Sequence, residues 1–453
     1  MVAGDARRVL GANERVVLAS IGIRGQGNAL KRGFAKIQGV EIKTLCDIDE
    51  NLFASRAADA SLKDIATFKP GYVQDMRRVF DDKDIDGVMI ATPNHWHALA
   101  TIWALQAGKH VYVEKPASHT VWEGRKMVEA KDRYGKIVQV GTMNRSRPAV
   151  RQAIQFIHDG GIGKVYMARG LCFKSRPGIG QYPDGPITDG KPHHLNVEGG
   201  PVPDGVWDAA YLAKVDYDLW LGPAPARPFN RNHFHYNWHW HWPYGNGDTG
   251  NQGPHQFDIA RWGLAKNEHP VTVASVGGYF GPPASQETPD THTSIFEYAD
   301  GTLFEFATRG QYTNEEGTQR IGNLFYGTKG WVWIDGDGRK WQSYLGRKEE
   351  KGPGSDAAAP AAGGSDPNVL TSEERPHYKN FVEAIRANDP KRLTCGIEDG
   401  HLSSTLPHLA NIAYRVGRKL KFDGKAEKFV SDAEADKLLT RAYRAPYVIP
   451  EKV

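Results

Sequence analysis

The chain has 453 residues, beyond the roughly 250–300 at which a single hydrophobic core stops growing, so two domains, or one with a large extension, are expected. Hydrophobic residues at 40% and charged residues at 24% are the balance of an ordinary soluble globular protein, and no apolar run is long enough to span a bilayer, which argues against a membrane role. Lys plus Arg outnumber Asp plus Glu by 57 to 53, a net +4 scattered without a basic stripe or an aromatic platform, which argues against a nucleic-acid partner.

The N-terminal MVAGDARRVLGANERV carries Arg7 and Arg8 with no apolar core behind them, so it is not an intact secretory signal. The sequence as it stands reads as cytoplasmic, and as periplasmic if an export leader was trimmed ahead of Met1. From Arg15 onward short apolar runs alternate with helix-like stretches: VVLASIGI, VEIKTLCD, DGVMIATP, HVYVEK and IVQVGTM. Parallel strands need such crossover helices, so residues 15–145 are expected to form an α/β domain with a doubly wound parallel sheet of the Rossmann type.

GIRGQG (Gly22, Ile23, Arg24, Gly25, Gln26, Gly27) falls where the first strand gives way to a helix, the place where a dinucleotide pyrophosphate meets helix N-terminal N–H groups. It departs from G-x-G-x-x-G, because Arg24 stands at the middle glycine with Gly25 beside it. Twenty positions after Gly27, Asp47 ends the second strand, where a carboxylate accepts hydrogen bonds from both adenosine ribose hydroxyls. NAD is therefore expected over NADP, although Arg24 could tolerate a 2′-phosphate. The other reading of Asp47 is a turn or cap residue, for which Asp49 is the better candidate.

Residues 146–420 read as an α+β domain with an open, largely antiparallel sheet and helices on one face. Helix RPAVRQAIQFIHDG and strand KVYMARGLCF precede a long polar and aromatic stretch to about residue 250 and a helix around HQFDIARW. Strands resume as VTVASVGGYF, TSIFEYADGTLFEFAT with a turn at Asp300-Gly301, and NLFYGTKGWVWIDG. Residues 350–370, rich in Gly, Ala, Pro and Ser, are expected as a flexible surface loop. Helices HYKNFVEAIRAN and GHLSSTLPHLANIAYRVGR follow, and 421–453 form a tail packing back on the body. Cys46, Cys172 and Cys395 are widely spaced and odd in number, so they read as buried small hydrophobes.

With GIRGQG, the TLCD acid, ATPNHWH, EKP, GTMNR, DLWLGPAP, GNQGPH and the C-terminal helices on the page, nearly the whole chain resembles the Gfo/Idh/MocA oxidoreductases, named for glucose-fructose oxidoreductase and inositol dehydrogenase. EKP at a strand end with ATPNHWH before it is the specific part. The resemblance implies that Lys115 reaches the nicotinamide ribose and the substrate hydroxyl, and that Thr92, Asn94, His95 and His97 line the nicotinamide end. It implies that Glu114 is a cofactor-side contact and that Arg145 and Asp258 border the substrate. The family's D-x-x-x-H pair is here Asn251 and His255. An amide can orient a hydroxyl but cannot take a proton. Proton transfer then falls to His255, whose ordinary pKa of about 6.5 suits it to remove a hydroxyl proton, while the Lys115 cation stabilises the alkoxide as hydride leaves the same carbon.

His233, His235, His239 and His241 lie among Trp238, Trp240 and Trp242 just ahead of this pair. Zinc is one reading, yet no Cys or Glu completes a familiar spacing, and no metal is expected. Alternation of His and Trp over 238–242 fits a strand with two unlike faces. Trp238 and His239 are read as substrate-binding, an indole face against a pyranose and an imidazole to its hydroxyls. Three functions stand: an NAD-dependent oxidoreductase of a sugar or polyol; a redox glycosidase using tightly bound NAD for transient oxidation, elimination and hydrolysis; and a non-catalytic NAD-binding protein. GIRGQG resembles the loop of those glycosidases, but their EKP position is altered and here it is intact. Lys115 and His255 together argue against the third. The family also implies a homo-oligomer, dimer or tetramer, paired through the open sheet face.

Overall fold

Val16–Ile21 (β1) is buried at every position, as a strand covered on both faces must be. It is the centre of a computed structural model that describes residues 14–186, 209–311, 320–355 and 375–453. In chain order follow α1 (Gln26–Ala35), β2 (Val40–Cys46), α2 (Phe53–Ala57), β3 (Gly71–Val73), α3 (Met76–Asp81), β4 (Gly87–Ile90), α4 (Asn94–Gln106), β5 (His110–Val113), α5 (Val121–Tyr134) and β6 (Val138–Val140). The six strands lie in the order β3-β2-β1-β4-β5-β6, all parallel, the Rossmann arrangement expected from the sequence. Alternate β1 residues serve opposite faces: Val16 and Leu18 pack with α1, and Val17, Ala19 and Ile21 with α4.

The second domain adds α6 (Pro148–His158), β7 (Val165–Cys172), α7 (Ala209–Leu212), α8 (Tyr217–Leu221), α9 (Gly247–Asn251) and α10 (Gly253–Gly263). Strands β8 (Thr272–Gly278), β9 (Thr291–Glu297), β10 (Leu303–Arg309), β11 (Ile321–Gly327), β12 (Gly330–Asp335), β13 (Trp341–Leu345) and β14 (Glu350–Gly354) follow. After α11 (Arg375–Ala387) and α12 (Ile397–Val416), β15 (Leu420–Asp423), β16 (Lys428–Phe429) and α13 (Ala433–Asp436) complete it. Ten strands order as β14-β13-β12-β11-β7-β10-β9-β8-β15-β16, antiparallel except for the parallel pair β7–β10. Helices α6, α10 and α12 cover one face through Ile154, Phe257 and Leu409, against Phe296, Phe304 and Phe325 of the sheet. The other face carries exposed Val276, Ile295 and Leu303.

Two expectations change. Residues 237–240 form a 3₁₀ turn, so the alternation of His and Trp there is not a strand pleat. The loop expected from residue 350 opens instead as edge strand β14, paired to β13, and its remainder from 356 lies outside the described residues.

The first domain is not closed by its own residues. Tyr378, Phe381 and Val382 of α11 enter the core on one side of its sheet, with Phe34 stacked on Tyr378 at 4.8 Å. Cys395, Ile397, Tyr447 and Ile449 enter the core on the other side. The tail also donates through Arg441, from Nη2 to the His95 carbonyl (2.6 Å) and from Nε to the buried Glu123 carboxylate (2.8 Å).

Candidate functional site

The glycine loop is shaped by two contacts that only glycine permits. Gly22 has φ +79°, and a Cβ on it would lie 2.7 Å from the Ala91 carbonyl; a Cβ on Gly27 would lie 1.6 Å from the Gly22 carbonyl. Gly25 would meet nothing within 4 Å, so the approach to the start of α1 is open. Arg56 braces the loop from behind, donating from Nε to the Ile23 carbonyl (3.1 Å) and from Nη2 to that of Arg24 (3.3 Å). Gln26 donates to Glu114 (2.9 Å), tying the loop to the end of β5. Asp47 accepts from the N–H of Ile23 (2.8 Å) and of Asp49 (3.1 Å), and burial raises its pKa to about 6. A tight glycine turn, an open helix start and a carboxylate at the tip of the next strand fit a dinucleotide.

At the far end of the crevice, Lys115 Nζ donates to the Asn251 carbonyl oxygen (2.7 Å), with Asn251 Oδ1 at 3.4 Å. Burial lowers the lysine's pKa; Glu114 opposes this, and the nearby Lys174 and Arg176 add to it. His255, near the start of α10, has its Nδ1 buried with no hydrogen-bond partner among the described residues. Burial first, then the charges of Lys115 and Arg147, depress its pKa to about 3, so it is neutral at pH 7 but, in this site, a weaker base than the ordinary imidazole expected from the sequence. The lysine, the amide and the imidazole expected from the sequence thus come together.

Other expected contact residues have partners within the protein. Asn94 donates to Asn246 (3.0 Å). The His95 imidazole is fully buried with Nε2 against the Trp220 carbonyl (2.8 Å), so it braces α8. His97 Nδ1 and Nε2 lie 2.7 and 2.9 Å from the carbonyls of Pro116 and Thr92, joining the ends of β5 and β4. Arg145 and Asp258 close on each other, Nε–Oδ2 2.8 Å and Nη2–Oδ1 2.9 Å, and Asp258 also accepts from Ser403 (2.7 Å). Both carboxylate oxygens are engaged, so this pair supports α10 from behind. Trp238 is 8% exposed, packed with Trp220 and Phe234, and stacked on His239 at 3.5 Å. It props the His239 ring, whose pKa burial drives well below the usual value, with Lys115 next to contribute among the charges.

Sequence reasoning missed a buried pair beside Lys115. Arg176 donates to Asp248 from Nε (2.9 Å) and Nη2 (2.7 Å), and Asp248 lies one helical turn before Asn251. The acid in GNGDTGN, three positions ahead of the amide, was the available signal. Away from the crevice, His269 and His401 both donate to Glu427 (3.0 and 2.6 Å), three groups spaced for a metal. Arg125 also donates to Glu427 (2.7 Å), and the carboxylate is held well below its usual range, so the cluster reads as an ion-pair knot between α5, α12 and the β15–β16 turn.

Comparison with known proteins adds the following. The model of an oxidoreductase family's NAD-binding Rossmann fold, Gfo/Idh/MocA, matches residues 19–142, and that of the same family's C-terminal alpha/beta domain matches 207–323 and 368–449. A levoglucosan dehydrogenase of Pseudarthrobacter phenanthrenivorans is 45% identical over 98 residues, 21% of this chain and 25% of the relative. An inositol 2-dehydrogenase of Salmonella typhimurium is 32% identical over 159 residues, 35% of this chain and 45% of the relative. A glycosyl hydrolase family 109 protein of Shewanella pealeana is 34% identical over 129 residues, 27% of each. The chain therefore spans less than half the length of these curated relatives. Among solved structures, a levoglucosan dehydrogenase complex with NADH and levoglucosan superposes with a TM-score of 0.64 at 19% identity, over 90% of this chain and 99% of that one. An aldose-aldose oxidoreductase from Caulobacter crescentus gives 0.61 at 20%, over 90% and 100%. At these identities the likeness is one of fold.

Proposed function

Since the chain belongs to the Gfo/Idh/MocA oxidoreductase family and carries its NAD-binding Rossmann domain, we propose that it moves hydride between NAD and a hydroxyl-bearing carbon of a sugar or polyol. The observation that carries this reading is the convergence of Lys115, Asn251 and a neutral His255 at one end of the crevice. Bound NAD supplies the hydride acceptor, or the donor in reverse. His255 takes the proton of the substrate hydroxyl as that carbon becomes a carbonyl. Lys115, anchored on the Asn251 carbonyl, keeps its ammonium beside the developing alkoxide, where a fixed cation in a dry site stabilises charge more than water would. Asn251 Nδ2 is suited to orient a second hydroxyl. Arg176 and Asp248 fix α9, and with it the carbonyl that aims Lys115.

The relatives named as family 109 glycosyl hydrolases support a second reading, in which NAD oxidises a sugar carbon transiently, the glycosidic substituent is eliminated, and the carbon is reduced again. One assay separates the two: the purified protein with a panel of sugars, polyols and glycosides, following NADH absorbance and product masses together. NADH formation without bond cleavage supports net oxidation; cleavage without net NADH supports the glycosidase. Neither outcome on a broad panel would remove both.

A further inference from the structure

The β2–α2 loop, which begins at the ribose carboxylate, is gripped by the other domain. Asp49 is fully buried, and its Oδ2 accepts from the Tyr211 hydroxyl (2.6 Å) and from His235 Nε2 (2.8 Å), both second-domain residues. The backbones join as well: Asp49 and Val215 form an antiparallel bridge, Glu50 N donates to the Lys214 carbonyl (3.0 Å), and Asp216 N donates to the Ile48 carbonyl (2.9 Å). Asn51 Nδ2 reaches the Tyr211 carbonyl (3.1 Å), and Gln74 spans the carbonyls of Ile48 and Lys214 (3.2 and 3.3 Å). Ile48 adds an apolar contact with the cluster holding Tyr211, Leu212 and Val215.

Two further contacts aim this junction at the cofactor. The Asp49 N–H donates to Asp47 Oδ1, so the residue at the centre of the junction also orients the ribose acid. Arg56 of α2, at the far end of the gripped loop, donates to the Ile23 and Arg24 carbonyls (3.1 and 3.3 Å), which ties the junction to the pyrophosphate loop as well. The adenosine half of a Rossmann dinucleotide lies between those two loops, outside the strand ends. We propose that residues 211–216 and His235 form a latch over the adenosine end of the NAD site, with Asp49 as its positioning residue, so that NAD leaves only when this junction opens. The inference rests on the NAD site and not on the identity of the sugar.

The latch predicts a slow, junction-controlled release. The protein, Asp49→Asn and Tyr211→Phe are each loaded with NADH, and release is followed by stopped flow as energy transfer from tryptophan to NADH decays in excess NAD. Asp49→Asn keeps the side chain's shape but removes the charge that accepts from Tyr211 and His235; Tyr211→Phe removes one hydroxyl and is the milder change for folding. Loss of a buried hydrogen bond to a charged group should accelerate release about tenfold in Tyr211→Phe, and more in Asp49→Asn. Release rates unchanged within about twofold in folded Tyr211→Phe, even with a lower melting temperature, would make the junction a structural tie only and overturn the latch. A native protein that shows no energy transfer to NADH would overturn the cofactor site itself, a result distinct from an unchanged rate.

Discussion

At Lys115 a charge sits where burial disfavours it and two other cations repel it, held by one carbonyl and a neighbouring carboxylate. Such a cation is strongly available to a new anion, so Lys115→Met should lower turnover by about a hundredfold or more while NAD affinity stays near its original value, measured by steady-state kinetics and by titration of NADH fluorescence. The main tether is the backbone carbonyl of Asn251, and the side chain makes only long contacts, Oδ1 to Lys115 at 3.4 Å and Nδ2 to Asp248 at 3.5 Å. Asp47 gives a pH-dependent expectation. Its pKa is raised to about 6, so above that value it is charged and repels a 2′-phosphate, and below it the charge is lost. The ratio of NADP to NAD dissociation constants should therefore shrink as pH falls from 7.5 to 5; a ratio constant over that range would detach cofactor choice from Asp47. Lys115, Asn251 and His255 were legible because each stands at a strand or helix terminus that faces the crevice. The pairing of Arg145 with Asp258 was not, since a buried polar residue turns to whichever partner the fold brings, and the two stand 113 positions apart in sequence.

Among the elements, the turn from β1 into α1 is the least tolerant of change. A methyl on Gly27 would stand 1.6 Å from the Gly22 carbonyl, whereas one on Gly25 meets nothing. Gly27→Ala should lower stability by about 3 kcal/mol or more, read as a drop in the denaturation midpoint, while Gly25→Ala should fold normally and lose affinity for NADH. Equal midpoints for the two variants would show that the loop relaxes freely. β1 and β4 were legible because each is buried at every position and reads as an apolar run, whereas the short, largely exposed edge strand β3 gave no such run. β14 was not: EKGPG has the composition of a turn, and it pairs only because an edge strand can carry a proline whose missing N–H faces away from its neighbour. At 237–240 the rings alternate in sequence but pack around a 3₁₀ turn, where period two has no pleat to follow.

Across the whole molecule, two expectations concern assembly and acid. Val276, Ile295 and Leu303 share the uncovered face of the second sheet at 73%, 49% and 36% exposure, and pairing of that face between subunits would cover them. Sedimentation at micromolar concentration should find a dimer or tetramer, and Ile295→Asp should dissociate it. For acid, burial lowers the pKa of His95 and His408 to about 3 and of His97 and His377 to about 4. The unfolded chain takes up these protons near pH 6.5 and the folded chain does not, so the contribution is full above pH 6.5 and is lost as pH falls toward 4. Each group contributes a slope of about 1.4 kcal/mol per pH unit in that window. The denaturant midpoint should fall steeply between pH 6.5 and 4.5; a flat profile would mean that the rings are not kept neutral. The completion of the first domain by α11 and the tail has a consequence for biosynthesis. A ribosome that has finished residue 145 has produced every strand of the cofactor domain, yet Phe34 still lacks Tyr378, the core on the other side lacks Ile397 and Tyr447, and Glu123 lacks Arg441. Those partners emerge more than 200 residues later, so the nascent domain waits, with apolar surface open to chaperones, for a stretch of chain not yet translated.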